Sequence, residues 1–191
     1  MITTVIDIGH GADDPGAVGK TLNRSITESE IVLSIGKILD SMIDYEDNME
    51  GILTRTKIDE KPSFQKRANI AELANQDNPG KTFMLSLHAD GFFDEDAEGS
   101  TLFHWPGSTK GKNLSLYLQD QLKFRPIGCR GIKENDKFLI IKGPKNVPVV
   151  LVETGFITNP GDARYLHSVR GRIETAECIF RGLKNFQEVI E

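Results

Sequence analysis

The chain opens with a β-branched, mostly apolar run that ends abruptly in Gly9-His10-Gly11. A run of this kind is typical of a strand buried on both faces, because Val and Ile pack well on a pleated surface. The two glycines allow the backbone to turn sharply and to approach another group closely. The pattern therefore predicts a buried strand over residues 2–8 that carries the imidazole of His10 at its tip.

Shorter apolar runs alternate with amphipathic segments along the rest of the chain. Strands are predicted over residues 51–55, 81–88, 100–105, 138–141 and 147–153, and helices over residues 28–43, 62–74, 109–123 and 160–188. Residues 11–27 are rich in Gly, Asp, Ser and Thr, which predicts a loop. Because strands alternate with helices, we expect one α/β domain spanning residues 1–191, with a mainly parallel or mixed twisted sheet of about six strands and helices on both faces.

The net negative charge of the chain argues against some classes of binding partner. The formal net charge is −5, which argues against nucleic acid or an anionic membrane surface, because both attract basic patches. No apolar run approaches the roughly 20 residues that span a bilayer. Cys129 and Cys178 form no CxxC motif and are expected to be free thiols.

Three of the predicted strands end in His10, His88 and Glu153. In open α/β sheets, ligands bind at the carboxyl ends of the strands. Two histidines and a carboxylate are the ligands of one class of catalytic zinc site, which also needs a carboxylate that acts as a base without binding the metal. Two carboxylates are therefore needed beside the two histidines. Glu153 is one, and the best candidate for the other is Glu28 at the start of the first helix. Glu30 is the alternative, although its position predicts a capping role.

Seven segments, in order along nearly the whole chain, carry a family resemblance: residues 5–11 (VIDIGHG), 14–17 (DPGA), 27–30 (TESE), 53–55 (LTR), 85–89 (LSLHA), 130–133 (RGIK) and 147–160 (VPVVLVETGFITNP). They resemble the zinc-dependent N-acetylmuramoyl-L-alanine amidases, a family of peptidoglycan hydrolases that includes bacterial autolysins and phage endolysins. The last segment is the most specific. The resemblance implies His10, Glu28 and His88 as ligands of one Zn²⁺ and Glu153 as the catalytic residue.

The resemblance also implies the substrate. The substrate is peptidoglycan, cleaved between N-acetylmuramic acid and L-alanine, and the enzyme is expected to be a monomer. Arg55, Asp90 and Arg130 are candidate substrate contacts. For the two arginines, a contact with a peptide carboxylate and a structural pairing with acids are equally open. The family often has Asn at the position of Asp90, so this chain adds a negative charge beside His88.

The absence of an apparent signal peptide or wall-binding domain leads to an expectation about origin. We expect a single catalytic domain of a phage or prophage endolysin, synthesised in the cytoplasm without a signal peptide and released to the cell wall or periplasm by a holin. The alternatives are the catalytic domain of a bacterial cell-wall amidase, a peptidoglycan-binding module without hydrolytic activity, and another zinc amidohydrolase. His104, His167 and the acidic run 94–98 are expected to have structural or surface roles.

Overall fold

The computed structural model describes residues 1–21 and 24–190. Its strands are β1 (Ile2–Ile8), β2 (Val18–Lys20), β3 (Ser25–Thr27), β4 (Met49–Leu53), β5 (Thr82–Asp90), β6 (Ser100–His104), β7 (Cys129–Glu134) and β8 (Val149–Phe156). Its helices are α1 (Glu28–Ile43), α2 (Phe64–Asp77), α3 (Thr109–Leu122), α4 (Leu139–Lys142), α5 (Pro160–His167) and α6 (Val169–Ile190).

Six strands form one mixed sheet in the order β4-β1-β5-β8-β6-β7. The first four strands in this order are parallel to one another, so β1, β5 and β8 end side by side. We call this part of the sheet its carboxyl end. β6 runs antiparallel to β8 and β7 is parallel to β6, so both of these strands begin at the carboxyl end.

Helices cover both faces of the sheet. α1, α3 and α6 pack on one face, over a core that includes Ile8, Leu87 and Val152. α2 and α4 cover the other face, where Val5 and Met84 are buried. All residues of β1 and β8 are buried, as expected for strands covered on both sides. The predicted fold class is confirmed.

The predicted strand over residues 138–141 is wrong. Residues 139–142 form a single helical turn, α4, in which Ile140 and Ile141 are both buried. A short apolar run does not distinguish a strand from a buried helical turn, because both bury consecutive side chains. The sixth strand is β7, which the pattern did not reveal because this strand at the border of the sheet exposes Arg130 and Lys133.

Two other segments are more divided than predicted. The loop 11–27 contains a small antiparallel hairpin formed by β2 and β3. The helical segment 160–188 is interrupted at Ser168, whose extended backbone separates α5 from α6.

The structure also bears on the two cysteines and on the possibility of a membrane-spanning helix. Cys129 and Cys178 are both free thiols, as predicted. Within residues 1–21 and 24–190, none of the helices combines the length and apolarity that crossing a bilayer requires.

Candidate metal centre

His10 lies just beyond β1, where the backbone enters a left-handed conformation. Its φ is +59°, and Gly11 follows with a φ of +126°. A residue with a side chain is strained there by about 1 kcal/mol or more, so surrounding contacts must hold it. Gly9 donates its N–H to the Leu87 carbonyl at 3.1 Å, and Gly11 exchanges two backbone hydrogen bonds of 2.9 Å with Asp14. The turn therefore fixes the imidazole at the carboxyl end of the sheet.

Two neighbouring glutamates at the start of α1 have different tasks. Glu30 completes a capping box with Thr27: the Thr27 hydroxyl accepts the Glu30 N–H at 3.3 Å, and the Glu30 carboxylate accepts the Thr27 N–H at 3.2 Å. This arrangement satisfies two backbone donors at the helix start. Glu28, and not Glu30, is therefore the carboxylate that turns toward His10.

The side chains of His10, Glu28 and His88 converge at one point. Glu28 Oε1 lies 3.1 Å from His10 Nε2 and 2.8 Å from His88 Nδ1. The two imidazole rings meet edge to face, with centroids 5.1 Å apart. One nitrogen or oxygen atom from each of the three residues lies within 4.8 Å of the other two. Two imidazoles and a carboxylate form a donor set that suits a catalytic zinc ion.

Further contacts orient these groups. Glu28 Oε1 accepts the Ala89 N–H at 3.0 Å, and Glu28 Oε2 accepts the Ala17 N–H at 2.9 Å. Asp14 Oδ1 lies 3.0 Å from His10 Nδ1. Contacts of this kind hold metal-binding side chains in place. The sequence reasoning missed Asp14; the available signal was its position four residues after His10 in the same glycine-rich segment.

The cluster is electrostatically coupled. Burial opposes the charge on Glu28, but the hydrogen bonds from His10 and His88 outweigh it and hold the pKa of Glu28 well below its usual range. The hydrogen bond to Glu28 raises the pKa of His10, although burial works in the opposite direction. Glu28 is therefore charged at neutral pH, as a metal-binding carboxylate must be.

Glu153 lies beside His88, because these two residues are register partners in β8 and β5. Its side chain is buried, with 9% of the residue exposed, and its Oε2 has no hydrogen-bond partner in the described part of the chain. Burial, reinforced by the charges of Glu28 and Asp90, raises the pKa of Glu153 well above its usual range. A buried carboxyl group with a raised pKa and an unpaired oxygen has the properties of a proton acceptor.

Glycines allow the three side chains to lie close to the backbone. A Cβ atom at Gly16 would lie 2.5 Å from Glu28 Oε2 and 2.7 Å from the His10 ring, and one at Gly9 would lie 2.6 Å from the His88 ring. Any larger residue at either position would displace the donor atoms. The tight cradle, the donor set and the unpaired carboxylate oxygen beside it fit a single zinc ion.

Arg55, a predicted substrate contact, lies inside the protein with only 2% of the residue exposed. Its guanidinium donates to the carbonyls of Ile8, Gly9, Lys57 and Ser29 and to the Ser29 hydroxyl. These bonds tie the end of β1 to the first turn of α1. Arg55 thus fixes the backbone on which His10 and Glu28 are carried. Because it is buried, it is not among the proposed substrate contacts.

The other two predicted substrate contacts lie at the carboxyl end of the sheet. Asp90 ends β5, two residues beyond His88, and burial raises its pKa. Arg130 is exposed near the start of β7, with its guanidinium 5.3 Å from the centroid of the Phe156 ring. The charge of Arg130 favours the ionised form of Asp90. A role of Asp90 and Arg130 in substrate binding stays a prediction.

The remaining candidates lie elsewhere. His104 is buried where β6 ends, away from the carboxyl end, with its Nδ1 2.9 Å from the Trp105 carbonyl. His167 is the last residue of α5. Among residues 1–21 and 24–190, the only group of three or more His, Cys, Asp or Glu side chains arranged to hold a metal is that of His10, Glu28 and His88.

The model of the N-acetylmuramoyl-L-alanine amidase family matches residues 4–185, a range that includes the whole cluster and Glu153. The chain belongs to this amidase family. It is 29% identical to the amidase AmiC of Escherichia coli O6:H1 over 97% of this chain and 52% of AmiC. It is 32% identical to the amidase LytC of Bacillus subtilis over 96% of this chain and 35% of LytC. The chain thus spans about half or less of these two amidases.

Solved amidase structures share the fold. The amidase AmiC2 of Nostoc punctiforme is 28% identical, with a TM-score of 0.85 and coverage of 98% of this chain and 97% of that one. The catalytic domain of the amidase CwlV from Bacillus (Paenibacillus) polymyxa var. colistinus is 25% identical, with a TM-score of 0.84 and coverage of 99% of both chains. The predicted family is therefore confirmed.

Proposed function

We propose that this chain is a zinc-dependent N-acetylmuramoyl-L-alanine amidase that hydrolyses the amide bond between N-acetylmuramic acid and L-alanine in peptidoglycan. The observation that carries the proposal is the unpaired oxygen of buried Glu153 beside the converging His10, Glu28 and His88. These three residues would hold one Zn²⁺ and leave a position open for water. Membership of the amidase family supports the substrate class.

Each residue has a defined task in this reaction. When bound, the zinc ion supplies Lewis-acid polarisation of the scissile carbonyl and lowers the pKa of water. Glu153 accepts a proton at Oε2 from the attacking water, whose oxygen bonds to the carbonyl carbon. Glu153 then donates this proton to the alanine nitrogen as the C–N bond breaks. The products are a lactyl carboxylic acid and a peptide with a free N-terminal alanine.

Purified muropeptides test the proposal. We expect the zinc-loaded protein to release stem peptides with N-terminal alanine, detected by mass spectrometry. A chelator should abolish the release, and added Zn²⁺ should restore it. Intact muropeptides together with retention on insoluble peptidoglycan would instead indicate a binding module. Intact muropeptides without retention would indicate a zinc amidohydrolase for another substrate.

The relatives bear on origin and place of action. We propose that the chain acts on the bacterial cell wall as the catalytic domain of an autolysin-type amidase, because AmiC and LytC come from bacteria. The match to the whole CwlV catalytic domain supports reading residues 1–191 as one catalytic domain. A phage or prophage endolysin remains the alternative; lysis of host cells on co-expression with a holin, but not without it, would support that origin.

A further inference from the structure

Two exposed phenylalanines lie at the carboxyl end of the sheet. Phe92 and Phe93 belong to the loop 91–99 between β5 and β6, and they are 45% and 90% exposed, respectively. Their rings pack on each other with centroids 4.3 Å apart. An exposed apolar patch rimmed by polar residues marks a candidate binding surface. The hydrolytic mechanism uses neither of them.

Contacts on two sides hold the pair in place. Phe92 donates its N–H to the Thr158 hydroxyl at 3.0 Å. Gly91 packs against Ala17, since a Cβ atom at Gly91 would lie 2.9 Å from the Ala17 Cβ. The Phe92 ring also meets the Phe156 ring at an angle of 66°, with centroids 6.5 Å apart. The pair is therefore anchored to the loop that follows β8.

The same contacts connect the pair to the metal centre. Ala17, which packs on Gly91, donates its N–H to Glu28. On the far side, the Arg130 guanidinium lies over the Phe156 ring. We call Phe92, Phe93 and Arg130, three exposed residues around the buried Phe156 ring, the aromatic shelf. The shelf lies at the carboxyl end of the sheet, the same end that holds His10, Glu28 and His88.

We propose that the aromatic shelf binds a neutral N-acetylated sugar of the glycan strand, next to the muramic acid whose peptide is cleaved. This inference rests on the proposed function, which brings a glycan to this end of the sheet. The C–H face of a sugar ring is apolar and suits the exposed faces of Phe92 and Phe93, since flat aromatic side chains supply a large apolar contact. Arg130 supplies hydrogen-bond donors for hydroxyl or acetamido oxygens.

Charge in the same loop excludes other ligands for the shelf. Four acidic residues follow the phenylalanines: Asp94, Glu95, Asp96 and Glu98. Their carboxylates repel anionic lipid surfaces, nucleic acids and polyanionic wall polymers. An uncharged sugar is not repelled by these carboxylates. The combination of apolar rings with surrounding negative charge therefore favours a neutral glycan.

The test compares two substrates that carry the same peptide, one on a single N-acetylmuramic acid and one on a tetrasaccharide. With the zinc-loaded enzyme, Phe93→Ala should lower kcat/KM for the tetrasaccharide about five- to tenfold, mainly through KM, as expected for loss of one aromatic contact. The single-sugar substrate should change less than twofold. Tyr45→Ala is the matched control, because Tyr45 is 91% exposed and follows the opposite end of α1.

A second measurement separates the shelf from the hydrolytic activity. Chitotetraose, a peptide-free oligomer of N-acetylglucosamine, is titrated into the unmodified chain, Phe93→Ala and Tyr45→Ala by calorimetry. We expect Phe93→Ala alone to weaken binding about five- to tenfold. If the unmodified chain cleaves neither muramyl substrate, the proposed function fails and the chitotetraose result alone decides on the shelf. Equal effects of Phe93→Ala on both substrates, or unchanged chitotetraose binding, would overturn the shelf.

Discussion

At the scale of single residues, three glutamates of the same intrinsic acidity have three roles because their surroundings differ. Glu28 accepts hydrogen bonds from two imidazoles and two backbone N–H groups, which keeps it charged. Glu30 caps a helix. Burial and the charges of Glu28 and Asp90 raise the pKa of Glu153, and one of its oxygens has no hydrogen-bond partner in the part of the chain that the structure describes. Environment, rather than residue type, therefore separates the proposed metal ligand, the helix cap and the proposed base.

Glu153→Gln should keep the fold and one bound zinc ion but lower kcat by about 10²–10⁴-fold, because the amide cannot accept the proton of the attacking water. Metal analysis, circular dichroism and the muropeptide assay measure the three quantities. Glu188→Gln, an exposed position on α6, is the control and should be fully active. A Glu153→Gln variant within tenfold of the unmodified enzyme would contradict the role of Glu153 as base.

Two arginines provide a matched pair for stability. Arg55→Met should lower the free energy of unfolding by about 3 kcal/mol, because several buried carbonyls lose a charged donor. Arg130→Met should change it by less than about 0.5 kcal/mol, since Arg130 is exposed. Urea unfolding of the metal-free proteins measures both changes. Similar values for the two variants would be inconsistent with the positioning role of Arg55.

At the scale of elements, the two ends of α1 differ: its first turn is stabilised by capping and charge, and its last turn is not. The start has a capping box and acidic residues, which suit the positive end of the helix dipole. The last turn has no basic residue, and Asp40 and Asp44 place two carboxylates at the negative end. The helix is therefore better stabilised at the end that carries Glu28, the proposed metal ligand.

Asp40→Asn should stabilise the protein at neutral pH. Burial, together with the Asp44 charge, raises the pKa of Asp40, whose Oδ1 has no hydrogen-bond partner within the described ranges. A carboxyl group with a raised pKa binds its proton more tightly in the folded state, so it destabilises the fold as pH rises. We expect a gain of about 0.5–1 kcal/mol at pH 7 that disappears below about pH 4. Urea unfolding at both pH values measures it, and an equal gain at both would contradict the mechanism.

At Gly16, the loop after β1 leaves room for two of the proposed metal ligands, Glu28 and His10. Gly16→Ala should weaken zinc binding about 10–100-fold, because the added methyl group displaces Glu28 and His10. Gly107→Ala is the control. Gly107 also has a positive φ, +77° against +67° for Gly16, but a Cβ atom there would have no described atom within 4 Å. Competition with a fluorescent chelator measures zinc affinity in both variants. Equal losses of zinc affinity in Gly16→Ala and Gly107→Ala would show that backbone strain alone causes the effect.

At the scale of the whole molecule, the sequence predicted the elements with the strongest local signals. Parallel strands buried between helices are long apolar runs, so β1, β5 and β8 could be identified. The prediction that two of them end in His88 and Glu153 is wrong, because β5 continues to Asp90 and β8 to Phe156. The burial of Arg55 could not be identified, because its acceptors come from β1 and α1 as well as its own loop. The turn α4 and the strand β7 were missed because short segments lack a decisive period.

Zinc should stabilise the whole domain, since its proposed ligands lie in three segments that are distant in sequence. At a zinc concentration of about 100 times Kd, the gain is about 2.7 kcal/mol, which raises Tm by roughly 5–10 °C. Thermal unfolding with chelator and with added Zn²⁺ measures the shift. Glu28→Gln should largely lose it. A shift of unchanged size in Glu28→Gln would place the bound zinc elsewhere.

The antiparallel direction of β6 has a consequence for engineering. Because β5 ends and β6 begins at the same end of the sheet, the loop 91–99 returns without crossing the molecule. Lengthening such a connection costs only about 0.6 kcal/mol for each doubling of its length. A ligand-responsive domain inserted after Asp96 would lie at the carboxyl end of the sheet, the end that holds the candidate metal centre, and its opening and closing would switch the proposed hydrolysis on and off.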